Sequence, residues 1–428
     1  MRRCVIFDLD GTLTASDEGI LNCVRHTAQV MGLPLPTSEM EQKMIGPPLL
    51  WSFTQLLGMT QQQALKGIEV YRERYNRVGL FENRVYPGIR TLLRMLKMQG
   101  DWVAIATGKP TGASRRIIEH FQLNEYFDCI EGLRDDDPPG KEGLISRILP
   151  PDCSEALMVG DRKYDIDGGR KAGCRTVGVG FGYGTEQELR EAGCDLYAPT
   201  VDALIELLCP GMARPLGAFL SMEGLDGSGK TTQMHLLTEA LTRYGYEVIT
   251  SREPGGCPIS EKIRQIILDP ENSEMEPVTE ALLYAAARAQ HVREVIQPAV
   301  AAGKVLLSDR FVDSSIAYQG GGRELGTEQV ASLNAVALDG TLPLCTVYLN
   351  IRHEEALRRR YAASQPDRLE READSFHARV EAAYHQLIQS APERFVVVDA
   401  SLSEEEISTR CAEQVLARLH AQEVAADG

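Results

Sequence analysis

Short apolar runs rich in β-branched residues alternate with amphipathic stretches along most of the chain, the pattern of parallel α/β sheets whose buried strands are joined by surface helices. In the first half the runs are Val5–Phe7, Val103–Ala106, Leu157–Val159 and Val177–Val179. In the second they are Ala218–Met222, Val248–Thr250, Val305–Leu307, Thr346–Leu349 and Phe395–Val398. From about residue 16 to 85 the alternation stops, and Tyr71, Tyr75 and other apolar positions recur at helical spacing, which predicts an inserted helical cap. Between an apolar helix ending near Leu208 and the strand that starts at Ala218, prolines and glycines gather without periodicity, so residues 209–216 are expected to be a linker. The expected domains are therefore 1–208 and 217–428, and the fold class is α/β twice over. No internal repeat or low-complexity segment stands out.

Length agrees with this division: 428 residues exceed one ordinary core. A composition 43% hydrophobic and 25% charged is that of a soluble globular chain, and no apolar run approaches the ~20 residues of a membrane span. The start is briefly basic and then apolar, but Asp8 and Asp10 end that stretch too early for a signal peptide. Ten cysteines without C-x-x-C pairs fit reduced thiols, and a cytoplasmic location is expected. A formal net charge of −16 disfavours nucleic acid and anionic membrane as partners, so any phosphate site must draw on local cations.

One such site is spelled out by Gly224-Leu225-Asp226-Gly227-Ser228-Gly229-Lys230-Thr231, a G-x-x-x-x-G-K-[ST] loop followed by Thr232. An apolar strand precedes it, and Leu237, Leu241 and Tyr244 follow at helical spacing. In that setting backbone N–H groups converge on phosphate oxygens at a helix N-terminus, Lys230 reaches the transferred phosphate, and the Thr231 hydroxyl ligates Mg²⁺. The loop alone says only that a nucleotide is bound.

A second site is suggested by Asp8-Leu9-Asp10-Gly11-Thr12, which ends a buried strand with two carboxylates, where α/β sheets place their ligands. Alternating acids there are costly unless a cation relieves them. Thr107 ends a second strand, and Asp161 with Asp165 follows a third. Together these residues resemble the haloacid dehalogenase superfamily of phosphatases, a Rossmann-like fold with an inserted cap. The resemblance implies that Asp8 is the nucleophile of an aspartyl-phosphate and Asp10 the general acid/base. It further implies that Asp8, the Asp10 carbonyl and Asp161 hold Mg²⁺, that Asp165 supports them and that Thr107 binds phosphate. Lys141 or Lys109 would be the superfamily's lysine, Lys141 following the unusual acidic run Asp135-Asp136-Asp137. The cap segment Ile45-Gly46-Pro47-Pro48 is similar to that of phosphoglycolate-phosphatase-like members, and the phosphoester substrate stays open.

In the second half, Arg252-Glu253-Pro254-Gly255-Gly256, Asp309-Arg310, Ser314-Ser315 and Ala317-Tyr318-Gln319-Gly320 resemble the thymidylate kinases, with a P-loop nucleoside monophosphate kinase fold and parallel sheet. That resemblance implies transfer of the ATP γ-phosphoryl group to dTMP. Asp226 would hold the sugar 3′-hydroxyl, Arg252, Arg264 and Arg310 the acceptor phosphate, and Asp309 a Mg²⁺-bound water. Tyr284 would stack on the base, Arg288, Ser315 and Gln319 would read its edge, and Tyr318 would crowd the 2′ position. The loop has Gly227 where eukaryotic-type relatives carry arginine, so the lid run Arg358-Arg359-Arg360 with Arg368 must meet the transition-state charge; Arg359 and Arg368 are expected to do so. A homodimer through the kinase half is also expected. Hydrolysis of dTMP would oppose the kinase, so a different phosphoester is expected at the first site. The alternatives are an inactive, regulatory first domain, a deoxynucleoside kinase in the second, and a purely structural fusion whose domains are merely co-expressed.

Overall fold

The computed structural model of the protein describes residues 2–45, 49–134, 140–363 and 372–427. They form two compact units, Met1–Ala213 with Thr242–Tyr246, and Arg214–Leu241 with Glu247–Gly428.

The strands of the first unit are β1 (Arg2–Phe7), β2 (Thr14–Ala15), β3 (Arg84–Val85), β4 (Trp102–Thr107), β5 (Cys129–Gly132), β6 (Cys153–Gly160), β7 (Arg175–Val179) and β8 (Leu196–Ala198). Six of them make a parallel sheet in the order β5-β4-β1-β6-β7-β8. Phe7 lies opposite both Ile105 and Val159, so the residues that follow in each strand emerge together at one edge. Both faces of the sheet are covered, which is why its strands read as unbroken apolar runs. Leu92, Leu93, Leu96, Ile117 and Ile118 pack one face, and Leu144, Ile145 and Ile148 the other.

The cap is helical, with Asp17–Val30, Ser38–Met44 and Gln61–Arg74 as its main helices and Cys23, Val24, Met44, Phe53, Ala64 and Tyr71 in its own small core. A capping box between Thr60 and Gln63 starts the last of these helices. The stems of the insertion pair antiparallel as β2 and β3, with Thr14 opposite Val85, which anchors the cap where it leaves and rejoins the sheet.

The second unit carries β9 (Ala218–Gly224), β10 (Val248–Arg252), β11 (Val305–Asp309), β12 (Cys345–Asn350) and β13 (Phe395–Asp399) in the parallel order β10-β11-β9-β12-β13. The register sets Arg252 beside Asp309 and Asp309 beside Met222, so the phosphate loop, Arg252 and Asp309 share one edge. All nine strands expected from the apolar runs form. The short edge strands β5 and β8 and the β2–β3 hairpin are additions that too few apolar residues announced.

Glu223, the penultimate residue of β9, is fully buried and accepts hydrogen bonds from the Phe311 N–H at 2.7 Å, the Ser314 hydroxyl at 2.6 Å and the Tyr384 hydroxyl at 2.8 Å. Burial, reinforced by Asp313, pushes its pKa up to about 7, with Arg310 pulling the other way. A raised carboxyl pKa makes the folded state hold a proton that the unfolded chain has lost, so stability falls as pH rises through that window. Urea unfolding of the protein and of Glu223→Gln is therefore expected to diverge: the stability difference, wild type minus variant, declines between about pH 4.5 and about pH 7 and is flat above. A difference independent of pH would contradict this reading of Glu223.

Candidate active sites

In the first unit Lys141 stands between two acids, its Nζ 2.6 Å from Asp8 Oδ1 and 2.5 Å from Asp165 Oδ1, and it also donates to the Ala106 carbonyl at 3.2 Å. Burial works against its charge, but Asp165 and Asp8 prevail and raise its pKa above the usual lysine value. The other candidate lysine meets a different carboxylate. Lys109 Nζ lies 3.1 Å from Asp10 Oδ2, donates to the Tyr75 hydroxyl and sits 4.8 Å from the centre of that ring. The acidic run 135–137 and residues 46–48 of the cap segment fall outside the described residues.

Asp8 is raised to about 7 by burial and by Asp165 and Asp161, against the pull of Lys141; Asp161 is raised to about 6 by burial and Asp165, against the Tyr183 N–H that donates to it at 2.8 Å. These three aspartates each offer an oxygen within 4.8 Å of the others. The donors are all hard oxygens crowded by like charge, which fits Mg²⁺ and not a soft metal. Asp10 Oδ1 is buried without a hydrogen-bond partner, and Thr107 is buried with its hydroxyl accepting from the Lys109 N–H at 3.3 Å. Asp161 is gripped by glycines from two segments. A Cβ at Gly11, where φ is +81°, would lie 2.3 Å from Asp161 Oδ2, and one at Gly182 would lie 2.4 Å from Asp161 Cβ. At Gly184 it would lie 1.8 Å from the Asp161 carbonyl oxygen.

Asp8, Asp10, Thr107, Lys109, Lys141 and Asp165 line a cavity of about 460 Å³ whose other wall comes from the cap. Tyr183 was not anticipated from sequence, although the alternating glycines Gly180, Gly182 and Gly184 directly after a strand are the signal of a close backbone approach.

In the second unit a cavity of about 580 Å³ is lined by the loop residues Asp226, Gly227, Gly229, Lys230, Thr231 and Thr232. Arg252, Arg264, Asp309 and Arg310 line it too, with Tyr284, Arg288, Ser315, Tyr318 and Gln319. Gly224, Gly227 and Gly229 all have positive φ, which lets the loop curl without Cβ strain. Lys230 donates to the carbonyls of Gly224 at 3.1 Å and Leu225 at 3.0 Å, and burial with nearby Arg310 lowers its pKa. Ser228 and Leu225 are buried within the loop itself.

Arg310 is the most constrained residue of the site. Its φ of +70° is a conformation side chains other than glycine rarely adopt, and its N–H donates to the Met222 carbonyl at 2.9 Å. Its guanidinium donates to Asp226, to Ser314 Oγ at 3.0 Å and to Tyr318 OH at 3.3 Å. Burial resists ionisation of Asp226, but Arg310 and Lys230 hold its carboxyl well below the usual range. Arg264 is lowered by burial and by the neighbouring Arg252. Arg252 is paired with Glu261 at 3.0 Å, and Arg264 donates to the Pro254 carbonyl at 2.7 Å.

Gln319 Nε2 donates to Glu280 at 2.9 Å, and its Oε1 is buried with no hydrogen-bond partner. Asp309 Oδ1 is likewise buried and unmatched. Arg288, which lines the cavity, is 1% exposed, with Nε on Glu253 at 2.8 Å, a bond to Asn334, and Nη2 on the Phe311 carbonyl at 3.2 Å and Ser315 Oγ at 3.1 Å. Glu253 also receives His291 Nδ1 at 2.9 Å, whose Nε2 lies 2.7 Å from Ser251 Oγ. This buried network is not legible in the sequence, because Ser251 and Glu253 lie at the end of one strand and Arg288 and His291 lie on a helix 35 to 40 positions further on. In the lid, Arg359 lines the cavity and bonds Glu355 and the Ala400 carbonyl, whereas Arg358 is exposed on Glu355. Arg368 lies outside the described residues.

Comparison with known proteins gives a family likeness for each half of the chain. The family model for haloacid dehalogenase-like hydrolases matches residues 5–179, and that for thymidylate kinase matches residues 222–411. The chain is 47% identical over 210 residues to a thymidylate kinase of Geotalea uraniireducens, covering 48% of this chain and 99% of that protein. It is 50% identical over 207 residues to one of Pelobacter propionicus, covering 47% of this chain and 94% of that protein. Among solved structures, a haloacid dehalogenase-like hydrolase from Streptococcus pneumoniae is 27% identical with a TM-score of 0.44, the match covering 48% of this chain and 98% of that one. Through its second half the chain belongs to the thymidylate kinase family, and a haloacid dehalogenase-like domain precedes that half on the same polypeptide.

Proposed function

We propose that the second unit transfers the γ-phosphoryl group of ATP to dTMP, giving dTDP, and that the first hydrolyses a phosphomonoester through an aspartyl-phosphate. The observation that carries the kinase reading is the single cavity uniting a phosphate loop with Arg252, Arg264 and Arg310. Thymidine has no phosphate to engage three guanidiniums, so the acceptor is a monophosphate. Lys230 follows the migrating phosphoryl group, Arg310 and Arg264 hold the acceptor phosphate, and Gln319 Oε1 accepts from the thymine N3–H. Arg359, with Arg368, closes on the developing charge.

At the first site Asp8 attacks phosphorus while the leaving oxygen takes a proton from Asp10. Asp10 then removes a proton from water, which attacks the same phosphorus and frees phosphate and Asp8. Lys141 keeps Asp8 in place and offsets its charge. Mg²⁺, held by Asp8, Asp161 and the Asp10 carbonyl at this site and through Thr231 and Asp309 at the other, would neutralise phosphate oxygens.

Exposed Ile259 and Ile266 on helix Pro258–Leu268, with Val278 and Leu282 on helix Pro277–His291, supply an apolar surface for a homodimer. Residence in the cytoplasm is supported by ten cysteines without a disulfide. No described helix is long and apolar enough to cross a membrane.

In a coupled assay of ADP formation, dTMP should be the acceptor and thymidine should not, and Arg310→Met should lower kcat/KM for dTMP by about a thousandfold or more. Faster turnover of thymidine would move the domain to the deoxynucleoside kinases. Phosphate release from a phosphoester panel should vanish in Asp8→Asn while dTMP phosphorylation by the same preparation persists; release unchanged by that substitution would refute the nucleophile. Sedimentation should show a dimer that Ile259→Glu with Leu282→Glu converts to a monomer.

A further inference from the structure

The cavity of the first unit has two chemically different walls. Its floor is charged: Asp8, Asp10 and Asp165 line it with Lys109, Lys141 and Arg162. Every one of these cations already faces a carboxylate, Lys141 on Asp8 and Asp165, Lys109 on Asp10, and Arg162 on Glu188 at 2.9 Å. The cap wall is different in kind. Among the described residues it is built from Ile20, Met44, Ile45, Leu49, Tyr71 and Tyr75, with Ser16 at the start of the cap and no cation from the cap. The two tyrosine rings are stacked, centroids 5.5 Å apart and planes 16° from parallel, and Lys109 fixes the second of them from below.

The floor is where phosphate chemistry occurs, so the cap wall faces whatever the phosphate is attached to. A leaving group bearing its own carboxylate would enter a site already rich in acids and meet apolar side chains, losing water without gaining a counter-charge. A neutral group with a flat or apolar face would instead exchange water for contact with tyrosine, methionine and aliphatic carbons. We propose that this site takes phosphomonoesters of uncharged leaving groups that present a ring or another apolar face, and disfavours small esters whose leaving group carries a carboxylate. The proposal rests on the phosphatase reading of the same site and adds its substrate class. Tyr71, Tyr75 and Leu49 are its specificity-determining residues.

Two measurements on the full chain separate the proposal from the reading beneath it. In the first, turnover by wild type is compared for phenyl phosphate, uridine 5′-monophosphate and phosphoglycolate. The ring-bearing esters should exceed phosphoglycolate at least tenfold in kcat/KM, and Leu49→Lys, which puts a cation on the cap wall, should shift that ratio at least tenfold toward phosphoglycolate. In the second, calorimetric binding of the same esters to Asp8→Asn, with Asp10→Asn as a replacement should that variant not fold, reads preference without turnover. Tighter binding of the ring-bearing esters without hydrolysis by wild type would uphold the leaving-group class and overturn the hydrolase reading. Hydrolysis with phosphoglycolate preferred would do the reverse. Failure of both ring-bearing esters to bind would overturn the proposal outright.

Discussion

The contact of Lys141 with both Asp8 and Asp165 is what allows the first site to exist. Four acids, Asp8, Asp10, Asp161 and Asp165, gather at the ends of parallel strands, three of them buried and Asp10 partly exposed, and two ammonium groups are divided among them. Removing Lys141 would leave buried Asp8 without its ammonium partner, a far larger cost than the modest net gain of the pair itself. The division also differentiates the acids. Asp8 shares a lysine that belongs equally to the scaffold residue Asp165, whereas Asp10 is tied to a lysine that touches the cap.

The second site solves a similar problem with guanidinium in place of ammonium. Asp226 sits inside the phosphate loop, and Arg310 reaches it from the next strand over by accepting a left-handed backbone. That conformation is unfavourable for a residue with a Cβ, and the Met222 carbonyl, Ser314, Tyr318 and Asp226 jointly hold it. Glu223, one strand-end residue away from the loop, braces the same segment through the Phe311 N–H and the Ser314 hydroxyl.

Much of this was legible in the sequence because the chemistry is carried by contiguous motifs at strand ends. The apolar runs located the central strands, and Asp8-Leu9-Asp10 and the phosphate loop each announce themselves within eight residues. What escaped depends on distance through space. Lys109 and Lys141 are indistinguishable by type, and only the folded positions of Asp10 and Asp8 assign them. Glu223 reads as an acid ending a strand, and its three donors come from residues 88 to 161 positions away. The bonds of Arg288 to Glu253 and Asn334, partners 35 and 46 positions away, satisfy a buried guanidinium in a way that its spacing from Tyr284 does not show. The edge strands β5 and β8, four and three residues long, carry too little apolar sequence to be seen.

Gly11, Gly182 and Gly184 contribute no functional group, yet each approaches Asp161 so closely that a single methyl would collide with it. In a mutational scan of this chain, alanine at any of them would score with the lesions of Asp161 itself and not with the mild losses expected of a loop. The functional footprint of the carboxylate is therefore wider than its set of ligands, and it includes positions defined by the room they leave.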